Sequence, residues 1–187
     1  MTKQNSVFIA TSLDGYIADK NGGLDWLHAI PNPQQIDMGY GDFMSGIDAL
    51  VMGRTSFETV CGFDIEWPYE KPVFVLSTTI TSVPEALEKK VFLVKGKIHD
   101  ILDHIHSLGF HHLYIDGGKT IQSFLSEDLI DDMTITLIPV LLGGGTPLFS
   151  DLNKPLAFEC VDSKIFLDCV VQNRFQRRPV ANSTSKP

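Results

Sequence analysis

Short runs of apolar residues at Val7–Thr11, Ala49–Met52, Val73–Leu76, Val91–Val94 and Leu113–Ile115 limit the folds open to this chain more than any other feature. Most are rich in β-branched residues, and they lack the polar alternation of a strand with one wet face. A strand apolar at every position must be covered on both sides, the condition of a parallel sheet sandwiched by helices. The intervening segments supply such helices. Ile98, Ile101, Leu102, Ile105 and Leu108 form a helical stripe closed by Gly109. Ile121, Phe124, Leu125 and Leu129 form another, and Phe57, Val60 and Cys61 a shorter one.

The pattern changes after Asp131. Met133–Ile138, Ala157–Val161 and Ile165–Phe175 read as strands with no helix between them, hence as antiparallel partners at one end of the sheet, with Pro139 ending the first. The expected architecture is α/β: three layers, α/β/α, around a mostly parallel sheet of about eight strands with antiparallel C-terminal strands. A single domain over residues 1–178 is expected, followed by a disordered tail at 179–187. Residues 31–46 keep a helical period through Ile36, Tyr40 and Phe43, but Gly39, Gly41 and Gly46 weaken it, so a mobile or irregular helix beside a cleft is expected there. Gly143-Gly144-Gly145 reads as a locally flexible loop.

Charge narrows the functions. A net charge of −8 argues against nucleic acid or an anionic membrane as partner. Any site for an anion must therefore be built from backbone amides and a few cations. No apolar run has the length of a signal peptide or a membrane span, and Cys61, Cys160 and Cys169 are too widely spaced for a disulfide framework or a zinc knuckle, which suits the cytoplasm. No two histidines share metal-ligand spacing: His104 and His106 lie on different sides of a helix, and His111 and His112 on opposite faces of a strand.

Two turns suit an anion. In LVMGRTSFE a buried strand ends at Gly53, and Arg54, Thr55 and Ser56 open a helix. Free amides at a helix N-terminus attract anions, and arginine can fork onto a phosphate. In LYIDGGKTIQSFL a strand runs into Gly117 and Gly118, with a helix from about Lys119. The GKT looks like the end of a P-loop, but Leu113 stands where the leading glycine belongs, so the loop is too short to wrap a triphosphate. It suits a diphosphate lying across the helix end. Alone, the first turn is equally well explained as an ordinary strand–helix connection capped by Thr55 or Ser56, and the second is better explained as a tight turn capped by Asp116. Together, at the carboxyl ends of parallel strands, they mark a ligand crevice. Ser77-Thr78-Thr79 and Lys95-Gly96-Lys97 end the intervening strands. Asp14, in the SLDG turn, is an acid near the same edge, and Trp26 is core or a cover for a planar ring.

The order SLDG, VMGRTSFE, VLST, IDGGKTIQSFL and PVLLGGGTPLF resembles the dihydrofolate reductase-like superfamily, and most closely the C-terminal reductase domain of the riboflavin-biosynthesis deaminase-reductases and its stand-alone relatives, over Ser6 to Arg177. The deaminase signature, His-x-Glu with Pro-Cys-x-x-Cys, does not occur in these residues. The resemblance implies an NADPH-dependent reductase and suggests a homodimer. It assigns Gly53, Arg54, Thr55 and Ser56 to the adenosine 2′-phosphate side of the cofactor, and Leu76, Ser77 and Thr78 to the adenosine. It assigns Gly117, Gly118, Lys119, Thr120 and Ile121 to the pyrophosphate, and Ala10 with the Asp14–Ile17 segment, including Gly15 and Ile17, to the nicotinamide. Asp37 falls near the pterin-binding acid of the dihydrofolate reductases, although the helix there is glycine-rich.

The expected reaction is therefore hydride transfer to a small planar substrate, of the 5-amino-6-(5-phosphoribosylamino)uracil reductase type. The proton is expected from Asp14, Asp37 or ordered water, with Asp14, as a buried carboxyl of raised pKa, the first choice. A nucleotide-binding sensor without turnover and a dihydrofolate or pterin reductase are the alternatives. No metal is expected.

Overall fold

Alternate residues of the central strands serve two different cores, which is why those strands are apolar throughout. The computed structural model describes residues 2–178; the expected tail lies outside the described residues. Its main sheet comprises β1 (Gln4–Ser12), β3 (Ala49–Gly53), β4 (Val73–Leu76), β5 (Val91–Val94), β6 (His112–Asp116), β7 (Asp132–Ile138), β9 (Phe158–Phe166) and β10 (Val170–Arg177). These eight strands lie in the order β5-β4-β3-β6-β1-β7-β10-β9. A separate pair joins β2 (Tyr16–Ala18) to β8 (Thr146–Pro147). The helices are α1 (Tyr40–Ser45), α2 (Arg54–Cys61), α3 (Ile98–Ser107) and α4 (Gly118–Ser126).

Ala49, Val51, Leu113 and Ile115 pack on one face against Ile101, Ile105, Ile121 and Phe124 of α3 and α4. Leu50, Met52 and Tyr114 point the other way, with Phe57 of α2 and with Tyr40 and Phe43 of α1. The side-chain period of two thus divides each strand between the layers. Gly109 closes α3 in a left-handed conformation (φ +93°), its amide donating to His106 O, as the sequence anticipates.

Three expectations are corrected. β7 is parallel to β1 along Ser6–Ser12, with α4 lying between β6 and β7, and is antiparallel only to β10. The C-terminal hairpin turns at Leu167 and Asp168, both at positive φ (49° and 59°), so β9 runs to Phe166 instead of stopping at Val161. Neither residue is the glycine that normally announces such a turn. In residues 31–46 only Tyr40–Ser45 is helical; the stretch before it contains left-handed Gln35, Met38 and Gly39. That short helix is anchored by Phe8, whose ring lies 5.5 Å from Tyr40 and 5.0 Å from Phe43.

Among the described residues no helix is long and apolar enough to cross a membrane, and no cluster of three or more His, Cys, Asp or Glu has metal-binding geometry.

Candidate functional site

A cavity of about 730 Å³ runs along the carboxyl ends of β4, β3, β6 and β1. The first anion-suited turn borders it through Gly53, Arg54, Thr55 and Ser56, and the second through Gly117, Gly118, Lys119 and Thr120. Leu76 closes the β4 end, and Ala10 with Ile17 the β1 end. Neither α2 nor α4 has a side-chain cap on its N-terminal amides. The first amides of both helices therefore lack side-chain partners at a shared cavity, next to a guanidinium and an ammonium.

The two turns interlock. β3 and β6 are hydrogen-bonded neighbours, so α2 and α4 start side by side. A β-carbon on Gly53 would approach Thr120 Oγ1 at 2.9 Å, and one on Gly117 would run into Ser56 Oγ. Gly117 also holds φ +88° and ψ 139°, a region almost reserved for glycine. On the outer side Gly118 is packed under Ile17 Cδ1 and Thr146 Cγ2, at 2.9 and 3.2 Å from a built β-carbon. The β2–β8 pair thus covers the start of α4, and Gln122 Nε2 donates to Pro147 O at 2.8 Å to fix it there. The glycine run after β7 permits this cover, because a β-carbon on Gly145 (φ +141°) would collide with Ala18 O. Close approach at Gly145, and positive φ at all three positions (66°, 140° and 141°), account for a run where flexibility was expected.

Arg54 is exposed and donates from Nη1 to Glu58 Oε2, four residues along α2, at 2.7 Å. This exposed pair holds the guanidinium beside the helix only weakly.

The expected acids are placed differently. Asp14 is exposed and does not line the cavity. Its carboxylate accepts from Ser12 Oγ at 2.6 Å and from the amides of Leu142 and Gly143 at 3.1 and 2.8 Å. The Ser12 hydrogen bond foremost, with both amides, holds its pKa below the usual carboxylate value, the reverse of the buried, raised acid expected. Asp37 is likewise exposed; it accepts from the amides of Gly39 and Gly41, which lower its pKa. Both carboxylates organise loops. Gly15, Ser77, Thr78 and Ile121 also lie off the cavity wall. Gly15 sits in the turn with its amide on Ser12 O, Ser77 Oγ accepts from the amides of Thr79 and Ile80, Thr78 is exposed, and Ile121 is wholly buried in the core.

An acid does face the cavity: Asp116, the last residue of β6. Surrounding protein raises its pKa, against the opposing pull of the Gly117 amide and the Tyr114 hydroxyl. Tyr114 Oη donates to Phe8 O at 2.8 Å and lies 3.4 Å from Asp116 Oδ1. A phenol has one proton, and the nearer carbonyl takes most of it, so the pull of Tyr114 on the Asp116 carboxylate is weak. Tyr69 shares the wall, its own pKa pushed up first by burial and then by Asp116 and Tyr40. Tyr114 and Asp116 were legible as a pair, since i and i+2 on a strand share a face. Nothing local to Tyr69 indicates its place. Trp26 is core, packed with Ile138 and Val170.

Sheet order, strand directions and the crevice at the strand ends define a dihydrofolate reductase-like fold. Dihydrofolate reductase from Enterococcus faecalis, solved with NADP(H) and RAB-propyl, shares the fold with a TM-score of 0.65 at 16% identity, over 94% of this chain and 97% of that one. The chain belongs to the RibD C-terminal domain family, whose pattern matches residues 6–171. A crystal structure from Shewanella sp. PV-4, of a protein provisionally named for riboflavin biosynthesis, is 56% identical with a TM-score of 0.92, covering 94% of this chain and 99% of that one. The diaminohydroxyphosphoribosylaminopyrimidine deaminase/5-amino-6-(5-phosphoribosylamino)uracil reductase of Thermotoga maritima matches with a TM-score of 0.72 at 17% identity, over 95% of this chain but 57% of that larger one.

Proposed function

We propose that this chain is an NADPH-dependent reductase acting on a small planar substrate. The observation that carries the proposal is the pair of interlocked helix N-termini, each without a side-chain cap and each with a cation, facing one cavity at the carboxyl ends of the sheet. The glycines at Gly53, Gly117 and Gly118 bring backbone to the cavity wall, which is the fit a pyrophosphate requires. Family membership and the NADP(H) complex of a protein with the same fold support the same reading.

Gly117–Thr120 would hold the pyrophosphate on the α4 amides, with Lys119 beside it. Arg54 would leave Glu58 for the adenosine 2′-phosphate, where a bidentate guanidinium distinguishes NADPH from NADH. Ala10 and Ile17 would give the nicotinamide an apolar bed that excludes water. The cofactor, when bound, supplies a hydride to an electrophilic carbon of the substrate and leaves as NADP⁺. Asp116, with its raised pKa, would place the proton on the neighbouring heteroatom and recover it from water, a role that replaces Asp14 and Asp37. The homodimer implied by the family resemblance belongs to the same proposal and is read by sedimentation.

The test is direct. NADPH should raise the melting temperature of the purified chain and be oxidised, at 340 nm, in the presence of a ribosylaminopyrimidine or a dihydropterin. Binding without oxidation of any substrate would favour a sensor, and absence of binding would overturn the proposal.

A further inference from the structure

Cationic charge on the cavity wall is confined to the starts of two helices, beside the two middle strands of the crevice. Among the described residues, Arg54 and Lys119 are the only lysine or arginine side chains on its wall, and they head α2 and α4, where the cofactor's own phosphates are proposed to lie. Toward β1 the wall becomes carbon, from Ile9, Ala10, Ile17, Leu24 and Leu27. The polar groups beside that stretch are the hydroxyls of Tyr69, Tyr114 and Thr146 and the carboxyl of Asp116. Leu27 also borders a smaller hollow of about 250 Å³, whose polar side chains are His28 and Asn32, again without lysine or arginine.

A phosphate monoester carries about −1.5 to −2 charge at neutral pH. At the β1 end it would lose water without gaining a lysine or arginine of the wall, Lys20 lying outside it in the exposed turn between Ala18 and Gly22, and it would sit close to an acid in a chain whose net charge is −8. Moving an anion into such a wall is unfavourable unless a partner compensates it. A neutral ring has the opposite balance. Its faces gain apolar contact, and its N–H and C=O edges meet the Asp116 carboxyl and the tyrosine hydroxyls, which can donate or accept.

Resting on the reductase reading of this same cavity, we infer that its substrate is an uncharged, phosphate-free planar heterocycle, and that the site discriminates against the 5′-phosphate of the phosphoribosylaminouracil that the family resemblance suggests. The substrate must accordingly come from a reaction that has already removed, or never added, a phosphate.

Calorimetric titration of the full chain tests this apart from turnover. NADP⁺ is titrated first, which tests the reductase reading. With NADP⁺ saturating, so that the helix N-termini are occupied, three probes follow: ribose 5-phosphate, the phosphoribosylaminouracil, and the same uracil without its 5′-phosphate. The expected result is no ribose 5-phosphate site tighter than millimolar, with the dephosphorylated uracil bound at least about tenfold more tightly than its parent wherever either binds. A submillimolar ribose 5-phosphate site, or a parent uracil bound as tightly as its dephosphorylated form, overturns the inference while leaving the reductase reading intact. Failure of NADP⁺ to bind removes both. The ribose 5-phosphate titration decides the matter even where neither uracil binds.

Discussion

Gly53 and Thr120 stand so close that a β-carbon on the glycine would lie 2.9 Å from the threonine hydroxyl. The contact couples the start of α2 to the start of α4, and Gly117 against Ser56 repeats it in reverse. Gly53 has an ordinary φ of −80°, so its constraint is space alone. Gly53→Ala should therefore cost about 1–3 kcal/mol of stability, the usual penalty of overpacking. Adding Thr120→Ala should restore most of it in urea unfolding. Gly117→Ala should behave differently. Its backbone conformation alone costs about 1–3 kcal/mol with a side chain present, so Ser56→Gly should leave most of that loss in place.

Arg54 tests the assignment of the 2′-phosphate. Its pairing with Glu58 is exposed and contributes about 0.3–0.5 kcal/mol at most to the helix. Arg54→Ala should leave the melting temperature of the free chain nearly unchanged. It should weaken NADPH binding by roughly 1.5–3 kcal/mol, the range for hydrogen bonds to charged groups, with little effect on NADH. Glu58→Gln should do the opposite and tighten NADPH modestly, because the guanidinium no longer leaves a carboxylate. Equal losses for both cofactors in the alanine variant would remove the assignment.

The same stretch shows what the sequence could and could not convey. Strand–Gly–helix turns are local, so the strand ends at Gly53 and Asp116 and the helices beyond them could be read from apolar period and glycine position. Which turns touch is not local: the Gly53–Thr120 contact depends on β3 pairing with β6. Burial was the harder quantity. Asp14 and Asp116 both sit in Asp-Gly turns, yet one is held by amides at the surface and the other faces a cavity beside tyrosines. The parallel placement of β7 and the Leu167-Asp168 turn escaped for a related reason. Neighbouring strands determine the first, and the second lacks the glycine that would have announced it.

Asp14 now has a structural role, which a conservative change can expose. Asp14→Ala frees the amides of Leu142 and Gly143, and hydrogen exchange at those two positions should rise selectively. Its pKa is lowered in the fold, so its contribution is present above the ordinary aspartate value and is lost as pH falls through the depressed one. Wild type and Asp14→Ala should therefore differ in stability at neutral pH and converge in strong acid. Turnover should fall by less than about tenfold, well short of the loss expected of a proton donor.

Asp116 carries the opposite sign. Its folded pKa is raised, so the native state holds a proton that the unfolded chain releases near 3.8. Between that value and the raised one the native state binds more protons, and stability falls as pH rises. Asp116→Asn keeps the shape and removes the titration. The variant should be at least as stable as the wild type at pH 7, with an advantage that shrinks toward pH 4, as followed by urea unfolding across that range. Its turnover with NADPH should drop by about 10²–10⁴-fold while NADPH affinity changes little, because the amide cannot deliver the proton. The alkaline limb of the wild-type pH–rate profile, where Asp116 loses its proton, should also vanish in the residual activity. A variant that loses NADPH binding in proportion to turnover would make Asp116 a residue that holds the cofactor and deny it the proton.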